Sequence, residues 1–395
     1  MLFNINIAAV ISLVVYPITL IILGVFYHIH NGIGIFEILV MIFGYYGSNI
    51  SVGIGLHRLW SHNSYKTNKF VEFILAVFSA GTLQGPALSW ASNHYKHHTY
   101  TDTSKDPHTP LKYKNRFKGF LWSHIGWMLV GEGSYKFIDR VTMVKLGRNK
   151  ILKWQLKHYW KIVLFTNLVL PMIIGYLIGG TIASAYSVFL FIGIGRAIQQ
   201  QATFCVNSAC HFMGSKQYYK GTAGDIWWLF VFLLGENWHN FHHAFPSDYR
   251  NGIKWYHCDV HKWIIFLMYK LGLAWNLNVT PTVRIEAKMH ETTNYLIEGR
   301  RAQVNNVQDK IHDLVEYLRI KLNELDSCSS SIKKQFYKSL MDANSNLNNL
   351  KIQLQKSTNI SESKTDKFIK TMLLRLQYIE KTINLTCSKL DKAIS

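Results

Sequence analysis

The chain has 395 residues, of which 49% are hydrophobic, 14% aromatic and 17% charged, with a formal net charge of +20. That is apolar for a soluble protein, and the basic residues flank long apolar runs, which points to the cytoplasmic leaflet of a membrane and away from nucleic acid. Cys205, Cys210, Cys258, Cys328 and Cys387 show no paired spacing, so they read as reduced thiols without a disulfide framework.

Asn6 to Tyr27 is an uncharged apolar run long enough to cross a bilayer. It lacks a basic n-region and a cleavage site, so it reads as an anchor rather than a cleaved signal. A loop without Lys or Arg follows at 28–32, then a second run, Ile33 to Leu56, which ends at His57. The next segment is basic, which places the 28–32 loop outside and the histidine-bearing side in the cytoplasm. Phe70 to Trp90 is long enough to cross but carries Gly81, Gln84, Gly85 and Pro86. A single crossing there would put early and late histidines on opposite faces, so it reads as a re-entrant or protein-buried helical segment. Ile162 to Gly180 and Ser184 to Val206 are the third and fourth spans, whereas Asp225–Leu234 and Trp263–Leu273 are too short and read as interfacial or packed helices.

From about Val283 the aromatics thin out. Val304, Val307, Ile311, Leu314, Leu318, Leu322 and Leu325 recur at three- and four-residue steps, a heptad-like stripe. Ser327–Ser331 and Ser357–Asp366 read as linkers between further helices. The pattern predicts an all-α polytopic membrane protein in two parts. Residues 1–283 hold four transmembrane helices and a cytoplasmic His-rich di-metal domain. Residues 284–395 form a cytoplasmic helical tail, either a coiled coil or a small bundle.

Eight of the 18 histidines fall in three short boxes. His94, His97 and His98 form H-x-x-H-H, and His239, His242 and His243 repeat it within GENWHNFHHAFPSDYR. Residues three and four apart share a helix face, so each box can aim imidazoles at one centre. His57 and His62 stand five apart in HRLWSH, which suggests a helix end or turn between them. Neutral imidazole binds borderline metals such as iron and zinc. A closed zinc site needs only four ligands, so two metals account better for this many. Asp102, Asp106 and Glu236 lie near the boxes as candidates to orient the rings. His124 and His108 read as hydrogen-bonding neighbours, and His28, His30, His158, His257, His261, His290 and His312 lack the pattern.

HRLWSH, then NHYKHH, then GEN-W-H-N-F-H-H within four spans resembles the membrane fatty acyl desaturases of the stearoyl-CoA (delta-9) type, over roughly residues 1 to 280. WASNHYKHHTYTDTSKDPH, FPSDYR and KLGLAW are similar to the bacterial branch. The resemblance nominates His211 in NSACH as a ninth ligand and Asn207 as a ligand through water. It implies two iron ions (Fe2+) and oxygen-dependent insertion of a cis double bond into a saturated fatty acyl chain, with electrons from ferredoxin, rubredoxin or a b-type cytochrome. It also implies a long apolar substrate channel, for whose end Tyr45 and Asn49, two to three turns before His57, are candidates. Ser92 and Asn93 stand where acyl-CoA-using animal members carry an Arg-Asp pair, so the acyl carrier is CoA, acyl carrier protein or a membrane lipid. A lipid hydroxylase or ketolase of the same class, or a metal-binding scaffold, is the alternative. The bacterial-type flanks and the Lys-, Asn- and Ile-rich composition suggest a bacterial inner membrane.

Overall fold

The computed structural model describes residues 5–130, 138–356 and 362–394. They divide into two compact units, Met1–Thr292 and Thr293–Ser395.

Among the described residues of the first unit, four helices are long and apolar enough to cross a membrane: Ile7–Asn31, Ile35–Ser61, Lys150–Gly179 and Ile182–Phe212. The third begins twelve residues before the apolar run at Ile162, because Lys150–Leu164 is amphipathic and continues the same helix outward, with non-helical backbone angles at His158. Its start is fixed by the Asn149 side chain, which accepts from Ile151 and Leu152 N–H. Small residues let the second and fourth spans approach closely. A Cβ on Gly44 would come within 2.6 Å of the Ile192 carbonyl, and one on Gly195 within 2.1 Å of the Met41 carbonyl.

The ambiguous 70–90 segment does not cross. Helix Lys69–Gly81 has 13 residues, about 20 Å at 1.5 Å per residue, well short of a roughly 30 Å hydrocarbon core. Asn68 caps its start by accepting from Val71 N–H at 2.9 Å. The chain turns through 82–86 and re-enters a helix at Ala87–Tyr100, which carries the second histidine box. His57 at the end of the second span and His211 at the end of the fourth therefore lie on the same side as both H-x-x-H-H boxes. A two-stranded antiparallel clip, Lys66–Thr67 with Ala274–Trp275, closes that side.

The second span changes its winding before it ends. Ser51–Ser61 is π-helical, with i→i+5 hydrogen bonds in place of i→i+4. His62 N–H reaches the His57 carbonyl at 3.1 Å. Residues five apart are therefore stacked, and the His57 and His62 rings lie 4.8 Å apart. The expected helix end between them is a widened turn instead.

The second unit draws on helices Thr282–Asp326, Ser330–Lys356 and Glu362–Ile394. The heptad-like stripe faces inward. Val307, Ile311, Leu318 and Leu325 are buried with Leu340, Leu347, Leu376 and Ile383 in one apolar core. Of the linker expected at 357–366, positions 357–361 lie outside the described residues. Ile285 and Met289 pack instead in the first unit, against Phe241 and Phe245.

Candidate metal centre

The three boxes and His211 converge. His57, His62, His94 and His242 bring four ring nitrogens within 4.8 Å of one another, and so do His97, His211, His239 and His243. His98 stands at the junction. Its Nε2 lies 3.0 Å from His242 Nε2, and its ring stacks on His243 at 4.5 Å. Each cluster combines boxes that are distant in sequence, so only the folded chain makes either one.

The far nitrogens of three of these rings are held by the protein. His57 Nδ1 is 2.7 Å from Glu236 Oε2. His97 Nδ1 is 3.0 Å from Asp106 Oδ1. His211 Nδ1 is 2.8 Å from Thr222 Oγ1, whose own proton goes to Asp102. The three acidic residues nominated from sequence thus each support one imidazole, Asp102 through Thr222. A carboxylate that accepts the Nδ1–H fixes the tautomer and leaves Nε2 with a bare lone pair.

The Nε2 atoms of the clustered rings face one another. His97 Nε2 and His243 Nε2 are 3.2 Å apart, and His239 Nε2 is 3.0 Å from His211 Nε2 and 3.1 Å from His243 Nε2. In the other cluster, His57 and His242 Nε2 are 3.0 Å apart, and His62 and His94 Nε2 are 2.7 Å apart. One shared proton satisfies one such pair, whereas a cation satisfies four nitrogens at once. Protonation is also opposed. Burial, reinforced by the neighbouring imidazoles, holds His94, His97, His239, His242 and His243 well below the usual histidine range. Burial pushes His98 down to about 3. Metal–nitrogen bonds of about 2.0–2.1 Å place tetrahedral ligand nitrogens about 3.4 Å apart. The clusters need little adjustment to reach that spacing, so the donor set fits a metal pair.

Glu236 is the hub of a buried polar network that sequence pattern did not reveal. It accepts from Arg58 Nη2 at 3.0 Å, from His261 Nδ1 at 2.9 Å and from Asn251 Nδ2 at 2.8 Å. Burial opposes its ionisation, but His57 and Arg58 beside it outweigh that and hold its carboxyl well below the usual range. Arg58, 1% exposed, also bridges to Asp259 through Nη2 at 2.9 Å. His261 has no box spacing, and the only available hint was that it lies in the chain segment just beyond the third box. His108 stacks on His97 at 4.1 Å and groups with His97 and Asp106. Burial pushes its imidazole down to about 3.

A cavity enclosing about 1140 Å³, part of it open to the outside, runs up to the clusters. Its wall includes His57, His94, His97 and His239, with Trp90 and Trp127 among its apolar groups. Asn207 lines it beside these histidines, and Asn93 does too. Ser92 faces away, donating to Asp139 Oδ2 at 2.6 Å. Tyr45 and Asn49 are not among the lining residues. Both are buried and donate to the Phe232 carbonyl, each at 2.7 Å, so they tie the second span to the 230–233 helix.

Two groups of four buried or half-buried imidazoles, beside four helices apolar and long enough to cross a bilayer, define a membrane protein with a metal-binding histidine centre. The fatty acid desaturase family model matches residues 34–276, and the chain belongs to that family. It is 35% identical over 273 residues to Acyl-CoA desaturase 1 of Saccharomyces cerevisiae, covering 68% of this chain and 51% of that protein. It is 34% identical over 260 residues to the probable acyl-CoA desaturase of Schizosaccharomyces pombe, covering 65% and 52%. Against the delta-9 desaturase-like 3 protein of Arabidopsis thaliana it is 34% identical over 246 residues, covering 61% and 76%. The chain thus spans about half the length of the two yeast relatives.

Proposed function

We propose that this protein is an oxygen-dependent di-iron desaturase that introduces a cis double bond, at the delta-9 position, into a saturated fatty acyl chain. The observation that carries the reading is the pairing of two four-histidine clusters with an apolar cavity that ends on them. The names of the relatives, acyl-CoA desaturase and delta-9 desaturase-like, agree in reaction class. One relative at 33% identity is named a delta-9 acyl-lipid desaturase, and Ser92 and Asn93 stand in place of a charged pair, so the substrate is an acyl chain carried by CoA, by acyl carrier protein or by a membrane lipid.

Iron bound in both clusters would supply, with O2 and two electrons from a donor protein such as a ferredoxin, rubredoxin or b-type cytochrome, the power to remove two hydrogens from adjacent methylenes. In balance, –CH2–CH2– with O2, two electrons and two protons yields –CH=CH– and two waters. The chain's own residues set the geometry. His57, His62, His94 and His242 would hold one ion, and His97, His211, His239 and His243 the other, with His98 between them and Asn207 reaching through water. The cavity wall fixes which carbon pair faces them and keeps bulk water away. Basic loops support a cytoplasmic placement of the centre and of the helical tail, and the flanking residues favour a bacterial inner membrane.

The test is expression of the chain, with a compatible donor, in a host without this activity, with His242→Ala as control. Mass spectrometry of total fatty acids should show loss of two hydrogens at C9–C10 for the intact chain only. A mass gain of one oxygen would assign a hydroxylase instead, and no change with the donor present would refute both.

A further inference from the structure

The third box contains a polar residue that is not a histidine. Asn240 is wholly buried, and its amide is fully committed. Oδ1 accepts the N–H groups of Gln217, Tyr218 and Tyr219 at 2.9, 2.7 and 3.2 Å. Nδ2 donates to the carbonyls of Tyr219 and Ala223 at 3.0 and 2.8 Å. Its backbone N–H donates to Asp225 Oδ1 at 2.7 Å. No other side chain of this size offers one oxygen to three donors and two protons to two acceptors. Asn240 thus closes both arms of the 214–225 loop onto the helix that carries His239, His242 and His243.

Thr222 lies between those arms. Its N–H donates to Asp102 Oδ2 at 2.7 Å, and its hydroxyl donates to Asp102 Oδ1. A carboxylate only accepts, so the hydroxyl proton is committed and Oγ1 can only accept from His211 Nδ1. That leaves His211 Nε2 bare and aimed at His239 Nε2. Asp102 is held from its own side through its backbone: it follows the helix carrying the second box, with φ of +66°, and its N–H donates to Asp106 Oδ2 at 3.4 Å.

We propose that Thr222 and Asn240 are positioning residues for His211, Thr222 by fixing the tautomer of its ring and Asn240 by fixing Thr222. The third box thereby governs a metal ligand outside itself, and the second box reaches the same ligand through Asp102. This rests on the metal-centre reading above. Thr222→Val keeps the backbone bond to Asp102 and nearly the same volume but removes the acceptor for His211. Thr222→Ser restores the acceptor.

The experiment is titration of the purified, metal-stripped full chain in detergent with Co2+, followed by its visible d–d bands and by metal analysis. The unaltered chain should bind two ions. Thr222→Val should weaken one of them by roughly 10–100-fold and leave the other unchanged. Thr222→Ser should bind as the unaltered chain does. Asn240→Asp should weaken the same ion, and the double variant Asn240→Asp/Thr222→Val should be no weaker than the worse single variant, because both act through one ring. Unchanged binding by Thr222→Val overturns the proposal while the metal centre stands, and so does equal impairment in Thr222→Ser. An unaltered chain that binds no Co2+ overturns the metal centre itself.

Discussion

Asp259 offers the sharpest test of what holds the centre together, because it touches none of the clustered imidazoles. It is 0% exposed. Oδ1 accepts from Arg58 Nη2 at 2.9 Å and Lys262 N–H at 3.0 Å. Oδ2 accepts from Arg58 Nη1 at 3.3 Å and from the N–H groups of Asn251 and Gly252 at 2.9 and 3.0 Å. Asp259→Asn keeps the shape but turns one oxygen into a donor. Whichever way the amide lies, at least two buried donors then face another donor. Each such group costs about 1–3 kcal/mol, and breaking a buried ion pair costs about 3–5 kcal/mol. The two overlap, so a loss of about 3–5 kcal/mol is expected, a large share of a typical 5–15 kcal/mol stability. Thermal unfolding of the metal-free chain in detergent should then shift down by roughly 6–20 °C, at about 2–4 °C per kcal/mol for a unit of this size. The pH dependence has a definite sign. Burial opposes ionisation of Asp259, but Arg58 and the surrounding N–H donors outweigh it and hold its carboxyl below the usual range. A depressed carboxyl contributes stability that is complete above its unfolded value, about 3.9, and is lost as pH falls through the folded value. The gap between the unaltered chain and the variant should therefore be constant from pH 7 to about 5 and close only below about 4. A gap under 1 kcal/mol, or one that widens with acid, would refute the reasoning.

His211→Ala and His242→Ala fall in different clusters, so each should lose one bound ion and keep the other, by metal analysis of the purified chain. Glu236→Leu removes the acceptor of His57 Nδ1 and should weaken metal binding by roughly 10–100-fold, where Asp259→Asn acts mainly on unfolding. Gly195→Ala places a methyl against the Met41 carbonyl and should cost about 1–3 kcal/mol, read as a lower melting temperature. Leu347, fully buried in the tail core, should cost that unit about 2–5 kcal/mol when changed to Ala. Limited proteolysis should then cut within 293–395 while metal content stays that of the unaltered chain.

The residues that repeat locally were the ones legible in sequence. H-x-x-H-H announces itself because a helix brings its rings to one face, and the apolar runs announce spans because a bilayer has a fixed thickness. Proximity along the chain was also enough to nominate Asp102, Asp106 and Glu236. What escaped notice depends on contacts between distant segments. Thr222 is 120 residues from Asp102, and Arg58 is 201 from Asp259, and neither pair leaves a spacing to read. His261, which donates to Glu236 25 residues away, leaves no mark either, since an isolated histidine carries no period. Tyr45 and Asn49 show that position along a helix does not give the partner: both side chains meet the Phe232 carbonyl, more than 180 residues away.

The five-residue step between His57 and His62 limits how this protein can vary. The i→i+5 bonds of 51–61 seat residues five apart on one face. Rewound at the same length with ordinary i→i+4 bonds, the stretch would turn His57 and His62 about 140° from each other, so that only one could aim inward. Exchanges of side chain in this stretch are local events, but a change of winding is a change of aim, so the step between the two histidines should persist for as long as the i→i+5 bonds do.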